Sequence, residues 1–434
     1  MATRILFLLL ASAPIALAPP RAAAQDVPGD TLSLAEVYAL VDADNPMLRA
    51  ARLRTDAARS RESSAKLPPD PQLRVGVMNA SLPGLETDMP TSMAPSIEVM
   101  QMVPFPGKLG LSGEIARQET AIAGAEAREA AWMARARAAA AFWEIHGADR
   151  QLEAMRRTLR LLEDFEKVSR AMYSAGEGRQ ADVLRAGVEV ARMRADIERM
   201  SAMRAGAVAR LNAVLDRPAG TPVAAVATPE MPDELPPAET LREWAAAGRP
   251  LLQRSSFALE QAEARRSLAR RELWPDLSIG VQYGQRDAGG MGTERMGSVM
   301  LGVSVPVFAS RRQLRMREEA AAMEEMAGAE LADARAQVHA RIVELLAELD
   351  RARTLTELYR TEVLPQAGAA VESAYSSYRV GSVDFMTLVD AQMTLNEYEQ
   401  ELHRLHADSG VMLAELEMTI GRALPAGPGH EEDR

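Results

Sequence analysis

The sequence predicts a mainly α-helical chain with a two-fold internal repeat and four β-strands that contribute to a membrane β-barrel. Three observations predict this class. Two pairs of short segments alternate apolar with small or polar residues, the period of two that marks strands. Nearly all the rest is rich in Ala, Glu, Arg and Leu, with proline-free runs too long for a compact domain. The same order of breaks, strands and helices then occurs twice.

Composition bounds what these elements do. The 434 residues are 47% apolar, 26% charged and only 4% aromatic, which suits long helices packed through Ala and Leu. A net charge of -11 argues against nucleic acid as a partner. The absence of cysteine excludes disulfides, Cys-ligated metals and lipidation through an N-terminal cysteine. There is no phosphate-binding glycine loop, no paired His-carboxylate motif and no nucleophile elbow, so no catalytic residue and no cofactor is expected.

Residues 1–24 read as a signal peptide. Arg4 precedes an apolar run from Ile5 to Leu10 that continues through Ile15 and Leu17, and Ala22, Ala23 and Ala24 offer a cleavage site before Gln25. Pro14, Pro19 and Pro20 interrupt the segment and disfavour a permanent anchor. No other stretch reaches the roughly 18 apolar residues of a spanning helix. If the mature chain crosses a membrane, it does so with strands.

The first repeat is placed at residues 25–216. It opens with a helix capped by Thr31 or Ser33 and broken at Asn45-Pro46, then a helix from Pro46 to about Lys66 that ends at Leu67-Pro68-Pro69-Asp70-Pro71. Leu73, Val75 and Val77 mark a strand at about 72–80; Ile97, Val99 and Val103 mark another at about 95–103. A proline-free helix from Leu109 to about Ser174 approaches roughly 100 Å at 1.5 Å per residue. Gly176-Glu177-Gly178 breaks it, and a further helix runs from Ala181 to about Leu215. Residues 217–238 form a linker rich in Pro and Ala.

The second repeat, residues 239–424, answers the first. Arg249-Pro250 matches Asn45-Pro46, Trp274-Pro275-Asp276 matches Pro68-Pro69-Asp70, and Val305-Pro306 matches Val103-Pro104. Strands are expected at about 277–284, where Leu277, Ile279, Val281 and Tyr283 alternate, and at about 298–307. A long helix follows from Arg311 to about Leu364. Tyr378-Arg379-Val380-Gly381 matches Tyr173-Ser174-Ala175-Gly176, and residues 425–434 are a tail.

Four strands cannot close a barrel, and an open sheet leaves two edges. Membrane barrels begin at eight strands with every edge paired. The chain therefore has to oligomerise: two copies supply eight strands and three supply twelve. Phe105, Trp274 and Phe308 all lie just beyond strand ends at the helix-bearing side, the level of an interfacial aromatic girdle. Ser278, Gly280 and Ser304 on the opposite strand face suit a lumen.

With the exported start, the repeat, the four strands and the Tyr-x-x-Gly turn followed by Val389-Asp390-Ala391-Gln392, the mature chain resembles the TolC-like outer-membrane efflux proteins (outer membrane factors) over its whole length. The run from Val103 to Leu109 is similar to members of the heavy-metal efflux branch. The resemblance implies a homotrimer in the outer membrane, with a twelve-stranded barrel in contact with lipid and a helical tube in the periplasm. It further implies a periplasmic adaptor (membrane fusion protein) and an inner-membrane pump of the RND type as partners. Metal cations or small toxic compounds are the expected cargo. A non-conducting exported coiled-coil scaffold or adaptor is the reading from a different class, and an exit channel for type I protein secretion is a third.

The resemblance also places a gate at the periplasmic helix tips, with Asp390 and Asp182 lining the constriction. Thr387 and Val383 stand where relatives often carry an acid and a base, so part of the gate network is replaced. The turns at Gly176 and Gly381, with Tyr173 and Tyr378, are expected adaptor contacts. Glycine there supplies the positive φ of a tight helix-helix turn. Other polar clusters carry less. His403 and His406, with Glu399 nearby, read as a solvated helix face, and His146 and His339 as isolated. Met89, Met93, Met100 and Met102 gather around the first hairpin; thioethers can contact Cu(I), but flexible apolar filler is the simpler reading.

Overall fold

The computed structural model describes residues 31–77, 93–223, 226–228, 231–232, 234–287 and 292–425. The segment expected as a signal peptide, 1–24, the expected tail after 425 and Met89 lie outside the described residues. Chain order is α1 (Leu34–Asp44), α2 (Pro46–Ser64), β1 (Gln72–Val77), β2 (Met93–Val103), α3 (Lys108–Ser174) and α4 (Gln180–Val214), then α5 (Ala238–Gly248), α6 (Pro250–Arg271), β3 (Asp276–Asp287), β4 (Thr293–Ser304), α7 (Gln313–Leu358), α8 (Leu364–Arg379) and α9 (Phe385–Ile420).

The helix starts follow from local chemistry. Ser33 and Glu36 form a capping box at α1: the Glu36 amide donates to the serine hydroxyl, and the Glu36 carboxylate accepts from the Ser33 amide. Asn45 ends α1 and caps α2, its Oδ1 accepting from the amides of Met47 at 2.9 Å and Leu48 at 3.1 Å. Its Nδ2 donates to the Val214 carbonyl at 2.7 Å, which ties this break to the end of α4. Arg249 does the equivalent work in the second repeat. It donates to the Met418 carbonyl at 3.2 Å near the end of α9 and pairs with Glu129 of α3.

The 67-residue α3 is the spine, about 100 Å long. It packs against α2, α4, α6 and α9, and buries Ala130, Ala134, Ala138, Ala139 and Ala141. Small residues let the axes approach. A Cβ on Gly410 of α9 would lie 2.0 Å from the Trp143 ring, so only glycine fits that crossing. Three cores result. One joins α1, α3 and the end of α4 around Val37, Phe142, Ile145 and Leu211, and the linker contributes Val226. A second, in the matching place of the other repeat, joins α5, α7 and the end of α9 around Leu241, Ile342, Leu345 and Leu416. The third fills the tip between Gly176 and Gly381.

One helix departs from expectation. The chain does not leave its helix at Leu364 but continues through Pro365 to Arg379. A π-helical turn, Tyr359–Val363, makes this possible: the Leu364 amide reaches back five residues to the Tyr359 carbonyl. The widened turn accommodates a proline that a regular helix would exclude.

The strands form one antiparallel sheet in the order β1-β2-β3-β4. Register aligns Leu73, Val99, Val281 and Val299 across all four strands. The face they share, with Val75, Ile97, Leu277, Ile279, Leu301 and Val303, is apolar and exposed, interrupted by Gln101 opposite Ile279. The opposite face carries Gln72, Arg74, Ser96, Glu98, Ser278, Gln282, Ser298 and Ser304. β4 ends at Ser304, short of the expected 307, because Pro306 cannot donate to a ladder. Among the described residues, no helix is long and apolar enough to cross a membrane.

Candidate functional site

The site has two ends, the helix-bearing rim of the sheet and the far tips of the helices. At the rim, register brings the end of β2, the start of β3 and the end of β4 together, through Val103 with Leu277 and Asp276 with Ser304. Phe105, Trp274 and Phe308 therefore share one level. Phe105 stacks on Trp274 with centroids 5.2 Å apart and planes 13° apart. Trp274 is 55% exposed and Phe308 70%, so neither caps a core.

A buried cation sits behind this rim. Lys108, 5% exposed, donates from Nζ to Asp276 Oδ1 at 2.9 Å, the Trp274 carbonyl at 3.1 Å and Glu272 Oε2 at 3.3 Å. The Phe105 amide donates to the same Asp276 oxygen at 2.8 Å. Gly107 turns the chain into α3 at φ +90°, and Arg271 lies where a Cβ would go. The run from Val103 to Leu109 is thus a structural junction that fastens the β2-to-α3 transition to the α6-to-β3 transition.

At the tips, Gly176 and Gly381 adopt φ +80° and +72°, with open space around each. Positive φ, not crowding, selects glycine there. The two tyrosines before them differ. Tyr173 is 46% exposed, whereas Tyr378 is 5% exposed, bonds through its hydroxyl to Ser169 Oγ at 3.2 Å and meets the Phe385 ring edge-on at 5.5 Å. Its side chain pins α8 to α3 and α9 and is not presented outward.

Asp390 is exposed in the second turn of α9, and Asp182 is half-buried in the first turn of α4. Neither side chain has an ion-pair partner among the described residues. Their helices share the tip core, which contains Ala186 of α4 and Leu388 and Val389 of α9. Sequence reasoning missed Asp384. It caps α9, accepting from the Thr387 amide and hydroxyl at 3.0 Å each. Those bonds hold its carboxyl below the usual range, and Arg179 and Arg185 of the first repeat act in the same direction. An aspartate directly before the apolar run Phe385 to Val389 is the N-cap signal that could have found it.

The histidines also differ from expectation. His146 is not isolated: packing of α3 on α9 sets its ring 5.6 Å from His406 and 5.5 Å from Trp143. His146 Nε2 bonds Thr228 of the linker at 3.1 Å, Arg150 donates to the same hydroxyl at 3.2 Å, and His146 Nδ1 is buried without a partner. Burial, then the neighbouring His406 and Arg150, push its pKa down to about 4. His403 and His406 are lowered too, chiefly by burial. No group of three or more His, Asp or Glu side chains able to hold a metal occurs among the described residues.

None of the curated proteins compared with the chain by sequence matches it. Among solved structures, it is similar to VceC, an outer membrane protein of Vibrio cholerae, at 16% identity and TM-score 0.77, covering 90% of this chain and 97% of that one. It is similar to the outer membrane channel MtrE of Neisseria gonorrhoeae, in its open state, at 18% identity and TM-score 0.75, covering 91% and 90%. It is also similar to CusC, studied for transmembrane channel formation, at 17% identity and TM-score 0.77, covering 90% and 92%. At these identities the likeness establishes the fold. The sequence profile of the outer membrane efflux proteins matches residues 37–217 and again 241–422, the repeat and nearly all of the described chain. By that match the chain belongs to the outer membrane efflux protein family, as an efflux channel of the outer membrane.

Proposed function

We propose that three copies of the chain close one twelve-stranded barrel in the outer membrane and one helical duct beneath it, the passive exit of a tripartite efflux system. The observation that carries this reading is the sheet. One face is largely apolar and exposed over all four strands, and among the described residues the outer edges of β1 and β4 pair with no further strand. A lipid-facing barrel accounts for both at once; a soluble scaffold or adaptor would have to cover that face. Phe105, Trp274 and Phe308 then mark the periplasmic interface.

The tips are the proposed gate and docking point. Asp390, repeated three times around the axis, forms an acidic ring that concentrates cations by field focusing, with Asp182 beside it. Asp182 also lies in the first turn of α4, where its charge favours the positive end of the helix dipole. Gly176, Gly381 and the exposed Tyr173 offer the surface for a periplasmic adaptor, behind which stands an inner-membrane pump of the RND type. Tyr378 supports that surface from inside. Metal cations or small toxic compounds are the proposed cargo. The junction role of Val103 to Leu109 explains that motif without reference to cargo.

Conductance of the purified, detergent-extracted protein in planar bilayers tests the reading. The expected result is a trimeric, cation-preferring channel whose cation-to-anion permeability ratio falls about twofold or more in Asp390→Ala. Unchanged selectivity removes Asp390 from the ring. A protein recovered as a monomer without detergent overturns the channel itself.

A further inference from the structure

We infer that the face of the sheet opposite the apolar one carries a thioether site for a soft monovalent cation, Cu(I) or Ag(I), built by Met100, Met300 and Met102 around Gly280 with Glu98 beside them. The inference rests on the reading above in one respect: that this face lines the pore.

Four methionines, Met100, Met102, Met296 and Met300, stand on a face whose other positions are serine, glutamine, arginine, glutamate and glycine, and none of the three apolar cores includes a strand methionine. Filler needs a cavity to fill, yet Met300 is 37% exposed and Met102 42%. Register places these residues on one patch. Met100 of β2 and Met300 of β4 both pair with Gly280 of β3, so they flank a residue that has no side chain. Strands about 4.8 Å apart put the two methionine Cα atoms roughly 10 Å from each other. Each side chain has three rotatable bonds with which to lean over the glycine. Met300 already does: its Cε lies 3.4 Å from where a Gly280 Cβ would be, and Glu98 Oε1 lies 3.8 Å from the same point. Met102, two residues along β2, projects from the same face next to Ser278.

The donor set selects the ligand. Thioethers are neutral and soft and carry no proton to lose, so they favour monovalent d10 ions over hard divalent cations. The carboxylate of Glu98 supplies the compensating charge. The site is open to solvent and incomplete as a cage, which suits an ion that must be bound and released in transit.

Silver is the practical probe because Ag(I) is stable in air. Equilibrium dialysis of the full-length protein in detergent, read by elemental analysis, is expected to show Ag(I) bound and Zn(II) not bound. Met100→Leu with Met300→Leu preserves volume and is expected to weaken Ag(I) binding about tenfold or more. Met203→Leu, an exposed methionine of α4, is expected to leave it unchanged. In the unmutated protein, Ag(I) should also shield Met100 and Met300 from peroxide oxidation, read by mass spectrometry without any variant. Equal Ag(I) uptake by the unmutated protein and the double variant, or no uptake by either, overturns the site. Bilayer conductance separates the two readings: a conducting channel that takes up no Ag(I) sinks the site alone, whereas a protein that binds Ag(I) but forms no channel keeps the site and sinks the pore.

Discussion

At the scale of single residues, the most consequential is Lys108. A lysine ammonium so little exposed persists only because two carboxylates and a carbonyl surround it, and those carboxylates depend on it in turn. Lys108→Met keeps the stem and removes the charge, leaving Asp276 and Glu272 facing each other behind the rim. The expected cost is about 3 kcal/mol, read as a lower thermal midpoint in detergent. Adding Asp276→Asn to Lys108→Met should recover part of the loss, since one of the two stranded charges is then gone. The motif containing Lys108 was visible in the sequence, but its purpose was not. Its partners lie more than 160 positions away, and only the register of β2 on β3 brings them together. Asp384 and Tyr378 show the same limit at the tips. Sequence symmetry equated Tyr378 with Tyr173, yet the packing of α8 against α3 buries one and leaves the other exposed.

At the scale of elements, what was legible followed from local chemistry. The Ser33 capping box, the Asn45-Pro46 break, the period-two strands and the glycine turns all depend on neighbours within a few residues. The π-helical turn before Pro365 was hidden, because proline alone reads as a helix end. The seam between α3 and α9 was hidden as well, and it yields a pH prediction. The folded chain holds His146 at a pKa of about 4, below the ordinary 6.5, and the unfolded chain restores the ordinary value. Between those two values the unfolded state binds more protons, so stability falls as pH falls through the window and is fully present above it. His403 and His406 shift in the same direction; of the charged neighbours, Arg150 reinforces the shift on His146 and Asp149 opposes it. The contribution of His146 approaches roughly 3 kcal/mol between about pH 7 and pH 4. Comparing thermal midpoints of the unmutated protein and His146→Asn near pH 7.5 and near pH 5 checks it. The variant should lose less on acidification, and parallel losses would remove His146 as the sensor.

At the scale of the whole molecule, four strands with an exposed apolar face leave an uncovered surface and two open edges, which lipid and further copies would cover in the proposed trimer. The sequence revealed the open edges through strand count and pointed to a lumen face through Ser278, Gly280 and Ser304, but alternation within single strands does not align the faces of four of them. Register resolves the two faces, and a matched pair of substitutions tests the assignment. Leu301, 80% exposed, lies on the apolar face of β4, and Ser298 on the opposite face of the same strand. Leu301→Lys places three ammonium groups against hydrocarbon in the proposed trimer. The expected cost is about 2–4 kcal/mol per copy at mid-membrane depth. Ser298→Lys places the same groups in the aqueous lumen, where they add positive charge at little cost. The first variant should therefore lose heat-stable trimer in outer-membrane fractions analysed by semi-native electrophoresis. The second should assemble normally and shift bilayer selectivity towards anions. The reverse pattern, with Ser298→Lys blocking assembly and Leu301→Lys tolerated, would turn the sheet over and place the methionine face against lipid.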